Sequence, residues 1–268
     1  MKYEVNKKET LYFAIMTTIS MFIYSLFLIS MDCFMLLIGY TPFIVLLLIF
    51  FMVSRLYFIG HIKGNAIKVS EKQLPEIYAI LKDFSQKLEL KIVPDLYILQ
   101  GNGVLNAFAT KFVGKNTIIL YSNIVEAAYH DDSLAIQFII GHELGHIARN
   151  HVSFFKKLLI FPAKLLPFLG LPYSRACEYT CDNIGYALAP EGAIKGLLIL
   201  AAGNQLYKKI DLEEICNNAK IKPDFSVKLG ERSSSHPSLI KRINAIAEKE
   251  LVKNINQSYE HLKHQSAV

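Results

Sequence analysis

The sequence predicts an α+β fold that is mostly helical and contains one small sheet, preceded by a transmembrane helical hairpin. Two uncharged runs, residues 11–30 and 33–53, predict the hairpin, because each is about long enough to cross the roughly 30 Å hydrocarbon core as a helix. Further along, several segments carry apolar residues at helical spacing, which predicts a largely helical domain. Short strand-like stretches between residues 95 and 121 predict the sheet.

The composition favours a membrane-associated protein of a reducing compartment. The chain has 268 residues, 52% of them apolar, and its mean hydropathy of +0.30 is high for a soluble protein. The net charge of +6 fits either a nucleic-acid binder or a basic surface beside an anionic membrane. No dense Lys/Arg patch is interleaved with aromatic residues, so we predict a lipid bilayer and no nucleic acid as partner. The four cysteines show no paired framework, which favours free thiols.

Basic residues flank the hairpin and predict its orientation. They are Lys2, Lys7 and Lys8 before the first run and Arg55, Lys63 and Lys68 after the second. Because the short connection carries no Lys or Arg, the positive-inside rule places both ends of the hairpin in the cytoplasm. A cleaved signal peptide is the competing interpretation of the first run, but the second run would still stop transfer. We therefore predict a multi-pass protein of the inner membrane with its main domain in the cytoplasm.

The chain is predicted to consist of three parts. These are a transmembrane anchor of residues 1–58, a main domain of residues 59–253 and a polar tail of residues 254–268. The main domain begins with a linker over residues 60–69, which holds a short strand at most. Residues 73–91 follow with helical period and an apolar face, which predicts the first helix of the domain.

The predicted sheet contains three strands. Residues 95–99 form the first, and residues 106–112 and 116–121 form the other two. Gly114 with the lysine after it suggests a hairpin between the last two strands. A helix is predicted to start at residues 122–128, just before the most informative helix of the chain.

The segment of residues 152–172 is the least regular part of the main domain. It is strongly apolar, but Pro162, Lys164 and Pro167 interrupt it. It is therefore too short and too broken to span a bilayer in a regular way. We predict a surface loop or an interfacial segment that dips into the headgroup region.

The C-terminal third is predicted to hold three helices. They cover residues 174–188, 193–206 and 238–252, and Pro237 suits the start of the last one. Residues 210–229 lack a clear period and are predicted to be irregular.

One motif carries the chemistry: residues 141–146 read Gly-His-Glu-Leu-Gly-His, an H-E-x-x-H pattern within an apolar helical segment. Residues four apart share one face of a helix, so His142 and His146 would aim two imidazoles at one point. This is the geometry of two of the three protein ligands of a catalytic Zn²⁺. Glu143 is not needed as a ligand and could take a proton from water at the open coordination position.

A second acidic pair supplies candidates for the rest of the site. Glu178 and Asp182 lie four apart on the helix predicted over residues 174–188. Glu178 can complete a His₂Glu zinc site, and Asp182 could accept a hydrogen bond from the far nitrogen of one zinc histidine. Cys177 and Cys181 are rival ligands, but they would overfill a tetrahedral site and are interpreted as buried helix residues. We predict one Zn²⁺ per chain.

These motifs resemble a known family. The H-E-x-x-H motif followed by Ser-Arg-x-x-Glu-Tyr-x-x-Asp, which ends at Asp182, is similar to the gluzincin family that includes the HtpX membrane protease and the CAAX prenyl endoprotease. Residues 105–109, Leu-Asn-Ala-Phe-Ala, resemble the Asn-Ala-Phe-Ala strand of that family. Residues 235–237, Ser-His-Pro, with Arg242 after them, resemble its His-Pro segment. The resemblance covers about residues 70–250 and implies a zincin-type metallopeptidase domain.

The resemblance implies roles for individual residues. Zn²⁺ would be held by His142, His146 and Glu178, with Glu143 as general base. The strand residues Asn106, Ala107, Phe108 and Ala109 would line the substrate cleft, where an edge strand can pair with an extended peptide. His236 would stand near the metal as a candidate for stabilising the oxyanion, although a His before Pro can equally be a helix cap. Either Arg175 or Arg242 could pair with Asp182, and the sequence does not choose between them.

The implied activity is that of a zinc metalloendopeptidase acting on damaged or misfolded polypeptides at the cytoplasmic face of the membrane. One departure concerns HtpX, which carries further transmembrane spans between the two motifs, whereas only 31 residues separate His146 from Glu178 here. Two alternatives stay open at this point. One is a prenyl-peptide processing protease, which needs a deep apolar chamber, and the other is an inactive scaffold that keeps zinc for stability.

Overall fold

The structure, a computed structural model, describes residues 1–29, 31–101, 107–112, 115–131 and 134–266. The predicted fold class is confirmed: the chain is mostly helical with one small mixed sheet, and two apolar helices come first. The helices are α1 (Lys7–Ile29), α2 (Met31–Asn65), α3 (Pro75–Lys87), α4 (Ser122–Asp131), α5 (Leu134–Ala148), α6 (Phe154–Leu159), α7 (Phe161–Lys164), α8 (Pro167–Leu188), α9 (Pro190–Leu206), α10 (Leu212–Lys220), α11 (Phe225–Ser233) and α12 (Leu239–Ser266).

Helices α1 and α2 provide the two candidate membrane spans within the described residues. By length and hydropathy the spans are Lys7–Ile29 and Ile38–Asn65. Helix α2 continues to Asn65, so most of the linker predicted over residues 60–69 is helical instead. The reason is packing: Ile59 and Ile62 are buried against Tyr97 and Ile119 of the sheet, and a helix places that pair on one face.

The sheet has four strands: β1 (Ile67–Lys68), β2 (Asp95–Leu99), β3 (Ala107–Phe112) and β4 (Lys115–Tyr121). Their order is β1-β2-β4-β3, with β2 parallel to β4 and β3 antiparallel to β4. The hairpin predicted between the last two strands is present, with Phe108 opposite Ile119. Among the described residues no strand pairs with the outer side of β3, which is therefore an edge strand.

Helix α5 lies at the centre of the domain and packs against α8, α9, α3 and the sheet. It is apolar on nearly all sides, as expected for a helix buried all round. Phe138, Ile140 and Leu144 are among its fully buried side chains. Each such side chain stabilises the fold by about 1.5–3 kcal/mol, so the central helix is held in a fixed place.

The segment of residues 152–172 is not a loop. It forms α6, α7 and the first turns of α8, which begins at Pro167 and not at Ser174. Pro162 and Pro167 each lie in the first turn of a helix, where the missing N–H has no intrahelical partner to lose. The prolines therefore start helices here, whereas the prediction took them as interruptions.

The region of residues 210–229 is also helical, against the prediction of an irregular stretch. Asp211 caps α10 by accepting hydrogen bonds from the N–H groups of Glu213 and Glu214. Asp224 caps α11 by accepting one from Val227. These caps satisfy backbone donors that a short helix otherwise leaves free. Helix α12 continues to Ser266, so the polar tail predicted from residue 254 is helical up to that residue.

Candidate metal centre

Helices α5 and α8 approach each other closely through small residues. A Cβ atom on Gly141 would lie 3.1 Å from the Cα atom of Gly185, and one on Gly145 would lie 3.2 Å from that of Cys181. Both contacts are tighter than side chains normally tolerate. The two glycines therefore let the backbones of α5 and α8 meet, which brings Glu178 of α8 beside the two histidines of α5.

The three predicted ligands converge on one point. Nε2 of His142 lies 3.5 Å from Oε2 of Glu178, and Nε2 of His146 lies 3.4 Å from Oε1 of Glu178. Two ligand atoms held 2.0–2.1 Å from one ion at the tetrahedral angle are about 3.4 Å apart. The donor set and its spacing therefore fit a tetrahedrally bound metal ion with one position left open.

His142 is oriented by an acid and an arginine behind it. Its Nδ1 donates to Oδ1 of Asp182 at 2.9 Å. Arg242 binds both oxygens of Asp182, at 2.6 and 2.8 Å. Of the two arginines that the sequence offered as partners of Asp182, it is therefore Arg242 that pairs with it. Arg175 donates instead to the carbonyls of Glu231 and Ser234. Fixing Nδ1 as the donor leaves the Nε2 lone pair free for a metal.

The charges of the site favour a bound cation. Burial acts against ionisation of both carboxyl groups. Nearby positive groups nevertheless hold both pKa values below the usual range: Arg242 lowers the pKa of Asp182, and His142 lowers that of Glu178. Burial also opposes protonation of His142, yet the hydrogen bonds to Asp182 and Glu178 raise its pKa to about 10. A positive charge at Nε2 of His142, whether a proton or a metal ion, is therefore stabilised, and the two compete for that nitrogen.

His146 has a different support, which the sequence analysis missed. Its Nδ1 lies 3.1 Å from Nδ1 of His151, whose Nε2 lies 3.1 Å from Oε1 of Glu9. Burial lowers the pKa of His146 to about 3, so its ring stays neutral and able to bind a metal. A lone acid at the edge of an apolar run is the signal in the sequence that could have pointed to Glu9.

Glu143 sits beside the ligands without joining them. It is buried, it accepts a hydrogen bond from the backbone N–H of Ala109, and its Oε2 has no hydrogen-bond partner among the described residues. Burial raises its pKa to about 7. This carboxyl group faces a cleft of about 300 Å³ that the two histidines, Glu178 and β3 line. It is therefore free to exchange a proton with a molecule in the cleft.

The remaining predicted residues lie around the same cleft. Ala107, Phe108 and Ala109 of β3 line it, whereas Asn106 falls outside the described residues. His236 is 66% exposed by its side chain, and its Nε2 lies 3.5 Å from Oε1 of Glu178. It thus reaches the open side of the ligand cluster from the loop before α12.

Cys177 and Cys181 are free, buried thiols on α8. Burial raises the pKa of Cys177 to about 12 and that of Cys181 well above its usual value. Because the thiolate is the form that binds metal, either thiol would have to lose a proton that burial favours before it could act as a ligand. The structure thus agrees with interpreting them as helix residues.

The helical domain and its ligand cluster define the metallopeptidase class. The model of peptidase family M48 matches residues 71–160 and 152–250, and the chain therefore belongs to that family. Membership confirms the resemblance seen in the motifs, including the relation to HtpX.

Similar proteins include a curated metallopeptidase, a curated protease and one solved structure. The Plastoglobule-localized metallopeptidase 48, chloroplastic, of Arabidopsis thaliana is 28% identical over 156 residues, which cover 52% of this chain and 44% of the relative. A Protease HtpX homolog of Thermodesulfovibrio yellowstonii is 33% identical over 88 residues, 33% of this chain and 30% of the relative. Each match thus spans less than half of the relative's length. The crystal structure of S. mikatae Ste24p aligns with 88% of this chain and 64% of its own, at 17% identity and a TM-score of 0.48.

Proposed function

We propose that this protein is a membrane-anchored zinc metalloendopeptidase that hydrolyses internal peptide bonds of damaged or misfolded polypeptides. The observation that carries the proposal is the buried, unpartnered Oε2 of Glu143 beside the convergent atoms of His142, His146 and Glu178. A carboxylate held in this way next to a metal-binding cluster is the arrangement that hydrolysis requires. Family membership supports the reaction class, and the two relatives named as metallopeptidase and protease are consistent with it.

The chain's own residues divide the catalytic work. His142, His146 and Glu178 would hold the zinc ion, which supplies Lewis-acid polarisation of a carbonyl and lowers the pKa of water. Glu143 takes the proton from the attacking water and later delivers it to the leaving amine. A pKa raised by burial to about 7 suits a group that must do both near neutral pH.

The edge strand β3 is the proposed docking site for the substrate backbone. Ala107 and Ala109 offer small side chains at the cleft, and the N–H of Ala109 already reaches Glu143. Beyond them, the carbonyl of Lys111 accepts a hydrogen bond from Arg55 of α2, which occupies that end of the edge. An extended peptide added along residues 107–109 would therefore lie directly over the general base.

The proposed anchor is the helical hairpin of residues 1–58, with the peptidase domain of residues 59–253 in the cytoplasm and the hairpin in the inner membrane. The basic flanks of both helices support this orientation. Two candidate spans among the described residues support the anchoring itself.

An exposed apolar surface on α6, α7 and the start of α8 suggests that the domain enters the bilayer beside this anchor. Its side chains are Phe154, Phe155, Leu158, Phe161, Leu165 and Phe168. The segment is fixed to α1, since the carbonyl of Leu158 accepts from the Tyr24 hydroxyl at 2.7 Å and the N–H of Ala163 donates to Ser20 at 3.2 Å. At 1.5 Å per residue, Ser20 and Tyr24 lie about 20 and about 26 Å along α1 from Lys7. A bilayer that α1 crosses must therefore surround this apolar surface too.

The apolar surface adjoins the metal centre. A second cavity of about 400 Å³ lies between α6, α7 and α8 and shares His146, Glu178 and His236 with the cleft. Substrates that emerge from the bilayer would thus have a short path to the catalytic residues. This arrangement supports membrane proteins and misfolded chains at the membrane surface as the substrate class.

The membrane prediction can be tested with tryptophan probes, because the natural chain contains no Trp. Phe155 is 80% exposed on the apolar surface, and Phe225 is 79% exposed on α11, which gives a matched pair. We expect Phe155→Trp, reconstituted in vesicles with brominated lipids, to lose at least half of its fluorescence, whereas Phe225→Trp keeps most of it. Equal quenching of the two probes would contradict burial of this surface in the bilayer.

The test of the proposed reaction is the cleavage of unfolded casein by the purified, zinc-loaded protein in detergent. Mass spectrometry of the products should show cuts at internal bonds. Release of only terminal residues would contradict endopeptidase activity. Cleavage restricted to a farnesylated peptide, supplied in parallel, would replace the proposal with prenyl-peptide processing.

A further inference from the structure

The two histidines of the metal centre are supported in parallel ways. Each uses Nδ1 for a hydrogen bond to a group behind it, and each line of contacts ends in a carboxylate paired with an arginine. Behind His142, the hydrogen bond goes directly to the carboxylate of Asp182, which is paired with Arg242. For His146 the line of contacts passes through a second imidazole, His151, before it reaches a carboxylate.

When His146 binds a metal through Nε2, the chain of hydrogen bonds behind it allows only one placement of the protons. A ligand histidine that binds metal through Nε2 carries its proton on Nδ1 and donates it. Nδ1 of His151, at 3.1 Å, must then be the acceptor, which leaves the proton of this neutral ring on Nε2. That Nε2 lies 3.1 Å from Oε1 of Glu9, a carboxylate that accepts it. Every donor along the line thus meets an acceptor.

The terminal carboxylate belongs to the membrane helix. Glu9 lies in the first turn of α1 and is only 1% exposed. Arg149, which follows α5, donates to its Oε1 from Nη2 at 3.1 Å and from Nε at 3.3 Å. Arg149, whose side chain is partly exposed, compensates the buried charge of Glu9, as Arg242 does for Asp182.

The packing of α1 against the peptidase domain fixes the position of Glu9. The N–H of Asn6 donates to the hydroxyl of Thr180 at 3.1 Å, and the rings of Phe13 and Tyr173 lie 6.3 Å apart. Met16 of α1 is fully buried against the region from α6 to α8. Glu9 can therefore reach His151 only while α1 is seated against α8.

We propose that Glu9 and His151 are positioning residues for the metal ligand His146, and that the seating of the membrane helix α1 thereby sets the metal affinity of the site. The proposal rests on the metal site that the proposed function uses, but not on the reaction. Because coupling between two equilibria is reciprocal, metal binding must also strengthen the seating of α1 by the same factor. A protein whose anchor is displaced would release its metal more readily and lose its activity with it.

Zinc affinity is the readout that tests the positioning role. We expect Glu9→Leu and His151→Leu, in the full-length protein in detergent, each to weaken zinc binding about 10- to 100-fold in a chelator competition, the range typical of outer partners of metal ligands. Glu9→Asp keeps the carboxylate and should recover part of the loss. The double variant should bind zinc no more weakly than the single variant with the lower zinc affinity, because both changes break the same chain of contacts.

Glu4→Leu is the matched control. Glu4 lies five residues before Glu9, is exposed, and pairs with Lys249 and not with the metal centre. Its loss should change zinc affinity less than twofold. Zinc affinity in Glu9→Leu equal to that of the wild type, with the variant folded by circular dichroism, would overturn the proposal.

The reciprocal effect separates positioning from general destabilisation. Hydrogen exchange of the backbone amides of residues 7–16 should slow when zinc is added to the wild type, and should not respond to zinc in His151→Leu. An equal response in both proteins would overturn the coupling. These readouts are independent of catalysis: a protein that binds zinc but cleaves no casein would contradict only the proposed function.

Discussion

Replacing Glu143 with Gln is expected to lower the rate of casein cleavage by roughly 10²- to 10⁴-fold, the range that general acid–base catalysis contributes. The substitution keeps the shape of the side chain and its ability to accept the hydrogen bond from Ala109. It removes the ability to take a proton from water. Because Glu143 lies outside the set formed by His142, His146 and Glu178, the zinc content should stay at one per chain.

The experiment measures zinc content and cleavage on the same preparations. Glu248→Gln is a suitable control, since Glu248 is exposed on α12 and accepts a hydrogen bond from Asn244 of the same helix. The control should cleave casein like the wild type. Equal cleavage by wild type and Glu143→Gln would remove Glu143 from the mechanism and point to a contaminant or another site.

The convergence of His142, His146 and Glu178 could be predicted because each helix contributes side chains that are close in sequence. The spacing of four between His142 and His146, and between Glu178 and Asp182, places each pair on one face of a helix without any tertiary information. The close packing of the two helices also depends on a local feature of the sequence, the glycines in the apolar segment of α5. The predicted ligand geometry therefore needed only the assumption that the two helices pack against each other.

The supports of the site could not be predicted in the same way. Glu9 and His151 are 142 residues apart, and no periodicity relates them. Likewise, Arg175 and Arg242 are equally plausible partners for Asp182 until the tertiary path of α12 is known. Such contacts depend on how distant segments dock, which a local pattern does not contain.

The errors in secondary structure have a common physical cause. The prediction took Pro162 and Pro167 as breaks, although proline is well tolerated in the first turn of a helix. It also overlooked Asp211 and Asp224, whose side chains cap two short helices with little apolar periodicity. In both regions the signals at the start of a helix were more informative than its hydrophobic pattern.

Arg242→Met is expected to destabilise the protein by about 3–5 kcal/mol, the cost of leaving a buried charge without its partner. Asp182 is 2% exposed and receives two hydrogen bonds from Arg242. Without the arginine, Asp182 would keep the hydrogen bond from His142, whose ring is neutral when it binds zinc, but would lose the two charged hydrogen bonds. The thermal midpoint of the zinc-loaded protein in detergent should therefore fall by at least about 6 °C.

Two further variants show whether the effect comes from this ion pair. Arg175→Met removes an arginine that donates to the backbone carbonyls of Glu231 and Ser234, so a loss of no more than about 1.5 kcal/mol per hydrogen bond is expected. In an Asp182→Asn background, Arg242→Met should cost much less than in the wild type, because the asparagine still accepts the proton of His142 but carries no charge. The same cost in both backgrounds would show that Arg242 stabilises the protein through packing or through Glu178, whose Oε2 lies 3.6 Å from Nη1 of Arg242, and not through Asp182. A smaller cost in the Asp182→Asn background would mean that the charge of Asp182 requires Arg242. Helix α12, which carries Arg242, would then hold α5 and α8 together through this ion pair.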